Sequence, residues 1–227
     1  MGQRYVHGIK TAHGGHSPRT RSPCISPQEA TLSHISIQII KEEHASLTAM
    51  LQSMLMMIRR GPLNEPGLFF DVLRSMLFYI DEVPEKQHHP KESQYFFPLV
   101  AKRSAACAEA IQGLEKEHHQ GEAAIRALQH LLLAWEILGD SRRAAFVSAA
   151  QSYFDFYKAH MAVEEKQIIP EALKVLTEED WTTLDAAFAH NADPLSPTKP
   201  RDPIYDRLFS KITFRAPAPI GLGHSRP

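Results

Sequence analysis

The chain has 227 residues, of which 43% are hydrophobic, and its formal net charge is -1 at pH 7. This length and apolar content suit one well-buried domain, and the near-zero charge excludes nucleic acid or an anionic membrane as the expected partner. No apolar run reaches the roughly 20 residues of a transmembrane helix. The two cysteines, Cys24 and Cys107, form no motif, which favours a reducing cytoplasm over a disulfide framework.

The two ends of the chain differ in composition from its middle. Residues 1–31 contain glycine, proline, serine and arginine, with no acidic residue before Glu29. Because this segment lacks the apolar run of a signal peptide, we expect a disordered N-terminal extension. Residues 191–227 form a proline-rich tail, whose apolar patch from Ile204 to Phe214 is expected to pack partly on the folded domain. The folded domain itself is predicted to cover 32–190.

The middle of the chain follows a helical period. The predicted helices cover 33–60, 66–102, 105–138, 141–176 and, as a short fifth helix, 177–189. Val83-Pro84 is expected to interrupt the second helix, and Pro170 to kink the fourth, because proline removes a backbone donor. Thr177 and Asp180 resemble a capping box at the start of the fifth. Four long helices with short connections predict an all-α, antiparallel four-helix bundle with irregular tails.

Two histidines replace apolar residues on the stripes that a bundle buries, which repeat about every 3.5 residues. The predicted stripe of the first helix is Ile37, Ile40, His44, Leu47, Leu51, Met54 and Ile58. That of the third helix is Ile111, Leu114, His118, Gly121, Ile125, Leu128, Leu132 and Trp135. Outside these stripes, surface positions are expected for His119, His130 and His190, and solvated charges for Glu43, Glu165 and Glu171.

The other two long helices each carry a histidine and a glutamate four residues apart, so that both side chains lie on one face. These pairs are His88 with Glu92 and His160 with Glu164. His89 also faces inward if the turn after Pro84 is suitably placed, because Glu92 is three residues further on. Taken singly, each histidine is explained as a core residue and each pair as a surface ion pair. Taken together, that explanation needs the same coincidence on four helices.

A metal centre accounts for all of these residues, because a buried glutamate is costly unless it is paired or bound to a metal. Imidazole and carboxylate ligands without thiolate suit iron, manganese or zinc. Two octahedral ions offer about twelve positions, of which five imidazoles, two bridging carboxylates and one oxide or hydroxide bridge fill about eleven. One position then stays open for a small molecule.

These motifs resemble the hemerythrin and HHE cation-binding family. The resemblance lies in KEEHASL around His44, HHPKESQYFFP from His88, EHHQGE around His118 and AHMAVEEKQIIP around His160, and it covers about 33–176. It implies a non-haem di-iron site whose ligands are His44, His88, Glu92, His118, His160 and Glu164, with both glutamates as bridges. His89 falls where some relatives place a glutamate ligand, and it completes a set of five histidines. Tyr157 is a candidate hydrogen-bond donor behind the ligands.

Three functions are consistent with such a site. The first is binding, sensing or scavenging of O2, NO or peroxide at the open iron position, with Leu47, Leu51, Ile125 and Leu128 excluding water. The second is a di-iron redox enzyme acting on peroxide or NO, which needs an external electron donor. The third is iron homeostasis or repair of iron sites. A redox partner or a homodimer is compatible with each of them.

Overall fold

The structure is a computed structural model of the chain, and it describes residues 34–189 and 203–223. The predicted N-terminal extension, His190 and the start of the proline-rich tail lie outside these residues. The described part has no strand, and its helices are α1 (Ile35–Arg60), α2 (66–103), α3 (Ala108–Leu138), α4 (143–175), α5 (Glu178–Ala189) and α6 (Asp206–Arg215). Within the same residues, every helix is too short or too polar to cross a membrane.

Helices α1 to α4 form an antiparallel four-helix bundle in which each helix packs against its two neighbours. A glycine follows the last residue of α1 and of α3. Gly61 has a φ of 74° and Gly139 a φ of 84°, a region that glycine adopts without a steric cost. The predicted capping box of α5 is confirmed. The Thr177 backbone N–H donates to Asp180 Oδ2 at 2.9 Å, and the Asp180 N–H donates to Thr177 Oγ1 at 3.3 Å.

The interruption predicted at Val83-Pro84 takes the form of a change in hydrogen bonding, because the α-helical turns of α2 end at Ile80 and the helix continues through Pro84. Its turns widen to π-helix over Asp81–His88 and Glu92–Phe96, and those of α4 over Glu164–Ile168. A π turn bonds residues five apart, which leaves room for a proline ring that would clash with the carbonyl of an α-helical turn. Pro84 lies inside the first segment, and Pro170, where a kink is expected from the sequence, follows the last.

The described part of the tail contains helix α6, which its proline-rich sequence does not suggest. Ile212 of this helix is fully buried in the apolar interior of the bundle. Lys211 Nζ lies 2.8 Å from a carboxylate oxygen of Asp71 on α2, and Ser53 Oγ on α1 donates to the carbonyl of Pro217 at 2.8 Å. The tail therefore packs against α1 and α2.

Two apolar clusters fill the interior of the described part, and a polar layer separates them. One cluster, here called the α6-side cluster, includes residues of α6, and the other, the α5-side cluster, includes residues of α5. On α1, His44 lies between Ile40 of the α5-side cluster and Leu47 of the α6-side cluster, and His118 has the corresponding place on α3. The bundle therefore buries polar side chains at one level along its axis.

Candidate metal centre

The seven residues predicted as metal ligands lie together in this polar layer, and none of them is more than 6% exposed. They are His44 of α1, His88, His89 and Glu92 of α2, His118 of α3, and His160 and Glu164 of α4. Their donor atoms fall into three overlapping groups, in each of which the atoms lie within 4.8 Å of one another. On α3 the buried residues are the eight of the predicted stripe, while His119 and His130 are exposed as expected.

Each glutamate lies between two histidines that come from different helices. Glu92 Oε1 is 3.3 Å from His88 Nε2, and its Oε2 is 3.5 Å from His118 Nε2. Glu164 Oε2 is 3.1 Å from His44 Nε2, and its Oε1 is 3.3 Å from His160 Nε2. In both cases the two oxygens of one carboxylate face two different imidazoles, which is the arrangement that a bridging ligand needs.

The imidazoles form two sets on either side of these carboxylates. His44 and His88 are neighbours, with their ring centroids 5.2 Å apart. His89, His118 and His160 form the second set, in which the His89 and His118 rings stack at 4.3 Å and the Nε2 atoms of His118 and His160 are 3.2 Å apart. The two halves of the centre therefore offer different numbers of nitrogen donors.

Several buried polar atoms of this layer lack a hydrogen-bond partner within the described residues. Among the predicted ligands, these atoms are both carboxylate oxygens of Glu92, both of Glu164, and Nε2 of His88. An unsatisfied buried polar atom costs about 1–3 kcal/mol, so five of them at one level are a large cost for an isolated chain. Since these atoms belong to predicted ligands and point at one another, the residues fit a bound cation.

The other ring nitrogen of each histidine has a partner behind the centre. Nδ1 of His44 lies 3.0 Å from Glu165, that of His88 2.5 Å from Glu43, that of His89 3.2 Å from Glu85, that of His118 3.0 Å from Ser93 and that of His160 2.8 Å from Glu117. A metal-binding histidine commonly donates its second N–H to such a group, which fixes the tautomer and orients the ring. All five histidines are therefore arranged with Nε2 toward the centre.

The charges of the layer compensate one another when no ion is bound. Burial lowers the pKa of His88, but Glu92 and Glu43 outweigh it and hold that pKa well above 6.5. Burial likewise lowers the pKa of His160, while Glu164 raises it to a net value of about 9. Burial raises the pKa of Glu164, but His160 and His44 lower it well below 4.5. An ion must therefore displace protons from histidines to bind here.

Two glutamates behind the ligands are not anticipated from the sequence. Glu43, expected to be solvated, is buried against His88 because α1 buries a wider face than one stripe. Met50 and Met57 lie one and two heptads after Glu43 and are also buried. Apolar residues at this spacing are the sequence signal that the face carrying Glu43 is buried. Glu85, four residues before His89, accepts a hydrogen bond from Tyr157 at 2.6 Å, so this tyrosine is the expected donor. Burial raises the pKa of Glu85 to about 7, although its tyrosine partners lower it.

The other two glutamates expected as solvated charges each contact another side chain of the protein. Glu165 is exposed, with 43% of its side chain accessible, and still lies beside His44. Glu171 is a quarter exposed and accepts a hydrogen bond from Ser104 Oγ at 2.9 Å. The expectation of solvation therefore describes Glu165 better than Glu171.

The fold and this layer define a helical-bundle protein with a buried cation-binding site. The family model of the hemerythrin HHE cation-binding domain matches residues 35–172, and the chain belongs to this family. The matched range begins with α1 and ends within α4, so it contains all seven predicted ligands. A comparison with curated proteins finds no match.

Proposed function

We propose that the domain holds two iron ions and binds O2 or a related small molecule at one of them. His44 and His88 would hold one ion, and His89, His118 and His160 the other. Glu92 and Glu164 would bridge the two. The positions of the two carboxylates support this proposal most directly, because each has its oxygens within 3.5 Å of imidazoles from both sets.

The inequality of the two sets supports an open position beside His44 and His88, where the protein supplies one imidazole fewer. A cavity of about 10 Å³ lies there, lined by both of these histidines and by His89 of the other set, and bounded by the apolar residues Leu47, Val83 and Met161. This volume suits about one molecule of the size of water. When bound, iron supplies the electrons that O2 binding requires, and the apolar walls keep bulk water away.

Glu43 favours a second candidate, a redox enzyme that acts on peroxide. Glu43 lines the same cavity, and its Oε1 atom has no hydrogen-bond partner within the described residues. An acceptor in this place favours a molecule that donates a hydrogen, such as hydrogen peroxide, over O2 or NO. Repeated turnover would then need electrons from a partner.

The test is to measure iron content and absorption of protein from iron-supplied cells, and then to add O2 to the reduced protein. About two irons per chain and a visible band that disappears under argon support O2 binding. Consumption of peroxide or NO by reductant supports the enzyme, and weakly held, exchangeable iron supports a role in iron homeostasis. One zinc per chain would refute the di-iron site.

Neighbouring histidines on α3 offer a matched control. His118 is buried in the layer, whereas His119 is exposed. We expect His118→Ala to lose iron and His119→Ala to keep the wild-type content. Equal iron in both variants would remove His118 from the centre.

A further inference from the structure

A buried hydrogen-bond cluster lies behind His89, on the side away from the two carboxylates. Its centre is Glu85, which is 2% exposed. The hydroxyl groups of Tyr153 and Tyr157 both donate to Glu85 Oε1, each at 2.6 Å, and His89 Nδ1 lies 3.2 Å from Oε2. One carboxylate thus connects two tyrosines of α4 with one histidine of α2.

His89 has the same orientation as the other four histidines but differs from them in the contacts of its Nε2 atom. Each of those has its Nε2 within 3.5 Å of Glu92 or Glu164. The carboxylate that contacts His89 is Glu85, through Nδ1. The His89 ring also stacks on two other rings. Its centroid lies 5.4 Å from that of Tyr157, with an angle of 7° between the ring planes, and 4.3 Å from that of His118, with an angle of 13°.

The partner of His89 is held by more hydrogen bonds than the other carboxylates behind the ligands, including Glu43, which is also buried but whose Oε1 atom has no hydrogen-bond partner within the described residues. The side chains of Glu165 and Glu117, which contact His44 and His160, are 43% and 38% exposed and therefore reach water. The Glu85 side chain is fully buried, and two hydroxyl groups fix it. Gly121 makes room for this contact, because a Cβ atom there would lie 1.8 Å from the Tyr157 hydroxyl oxygen.

We propose that Glu85, Tyr153 and Tyr157 are positioning residues that hold His89 as the Nδ1–H tautomer, with Nε2 free to join His118 and His160. The cluster thereby makes the three-imidazole set a stronger metal site than the pair formed by His44 and His88. This inference rests on the proposed metal-binding function.

The first test uses metal-free, full-length protein labelled with ¹⁵N at histidine. Two-bond ¹H–¹⁵N correlation spectra at about pH 8 report the tautomer of His89 directly. We expect the Nδ1–H form in the wild type. Tyr153→Phe with Tyr157→Phe removes two hydrogen bonds to Glu85 and should change the tautomer ratio by roughly tenfold. An Nε2–H form in the wild type, or an unchanged ratio in the double variant, would overturn the inference.

The second test is Fe(II) titration against a competing chelator. Removing a group that orients a metal-binding histidine typically weakens metal binding by about 10–100-fold. We expect Glu85→Gln to weaken the tighter of two Fe(II) sites by this factor. Glu165→Gln, the matched change behind His44, should affect the weaker site instead. Equal effects of both variants on both sites would contradict the assignment of Glu85 to one set.

The two tests separate this inference from the proposed function. If the wild-type chain binds no Fe(II) while His89 keeps the Nδ1–H tautomer, the di-iron proposal fails. If both sites fill but the tautomer does not respond to the tyrosine hydroxyls, the positioning role fails.

Discussion

Replacing Gly121 by alanine tests the packing on which the layer depends. The added Cβ would lie 1.8 Å from the Tyr157 hydroxyl oxygen, 2.9 Å from its Cζ and 3.1 Å from Glu85 Oε1. Tyr157 is fully buried, with its ring stacked on that of His89, so it has no free space to enter. Overpacking of this kind costs about 1–3 kcal/mol, and the displaced hydrogen bond about 1–3 kcal/mol more.

Alanine is a better helix former than glycine by about 1 kcal/mol, which offsets part of this cost. We therefore expect a net loss of about 1–5 kcal/mol in the free energy of unfolding, measured by urea denaturation of metal-free protein followed by circular dichroism. Gly113→Ala is the matched control on the same helix, because nothing lies within 4 Å of its added Cβ. It should be neutral or slightly stabilising. If both variants unfold at the same urea concentration, the close approach of Tyr157 is wrong.

Three further perturbations follow from other parts of the structure. The Thr177 backbone and Arg103 lower the pKa of Asp180 to about 2, so the stability that this carboxylate contributes is present above pH 3.8 and is lost as the pH falls to 2. Asp180→Ala should lower the free energy of unfolding by about 1 kcal/mol in urea denaturation at neutral pH. The same variant should lose less stability than the wild type between pH 3.8 and pH 2. The pKa of His160 is raised to about 9, so this group stabilises the metal-free protein fully below pH 6.5 and loses that contribution as the pH rises through 9. The melting temperature of the metal-free protein should therefore fall over this pH range, and His160→Gln should remove that fall. Fe(II) at about 100 times its dissociation constant should add about 2.7 kcal/mol and raise Tm by about 5–10 °C, whereas Glu92→Gln should abolish this shift; a full shift in that variant would count against Glu92 as a ligand.

Helical periodicity predicts much of the centre from sequence alone. On α3, an eight-residue stripe includes every buried residue of the helix and separates His118 from His119. The spacing of four residues brings His160 and Glu164 to one face. These predictions succeed because a ligand that reaches the bundle interior must lie on a face that the helix already buries.

The parts that sequence does not predict depend on contacts between helices. Glu43 looks like an ordinary surface charge until His88 of α2 packs against it. Glu85 is recognisable only together with Tyr153 and Tyr157, which lie about 70 positions away in the chain. The π-helical turns of α2 likewise occur where prolines and predicted ligands lie close together in the helix. The helix propensities of single residues do not predict such turns.

The division of the interior into two clusters has a consequence for the lifetime of the protein in cells. Without an ion, the clusters meet across a polar layer in which five ligand atoms lack a hydrogen-bond partner, so we expect the two ends of the bundle to open separately. The α5-side cluster is the smaller of the two and should open first. Chains made during iron shortage would then expose this end to proteases, and limited proteolysis should cut there first unless Fe(II) is added. If the domain holds iron as proposed, iron supply would thus change protein abundance through degradation.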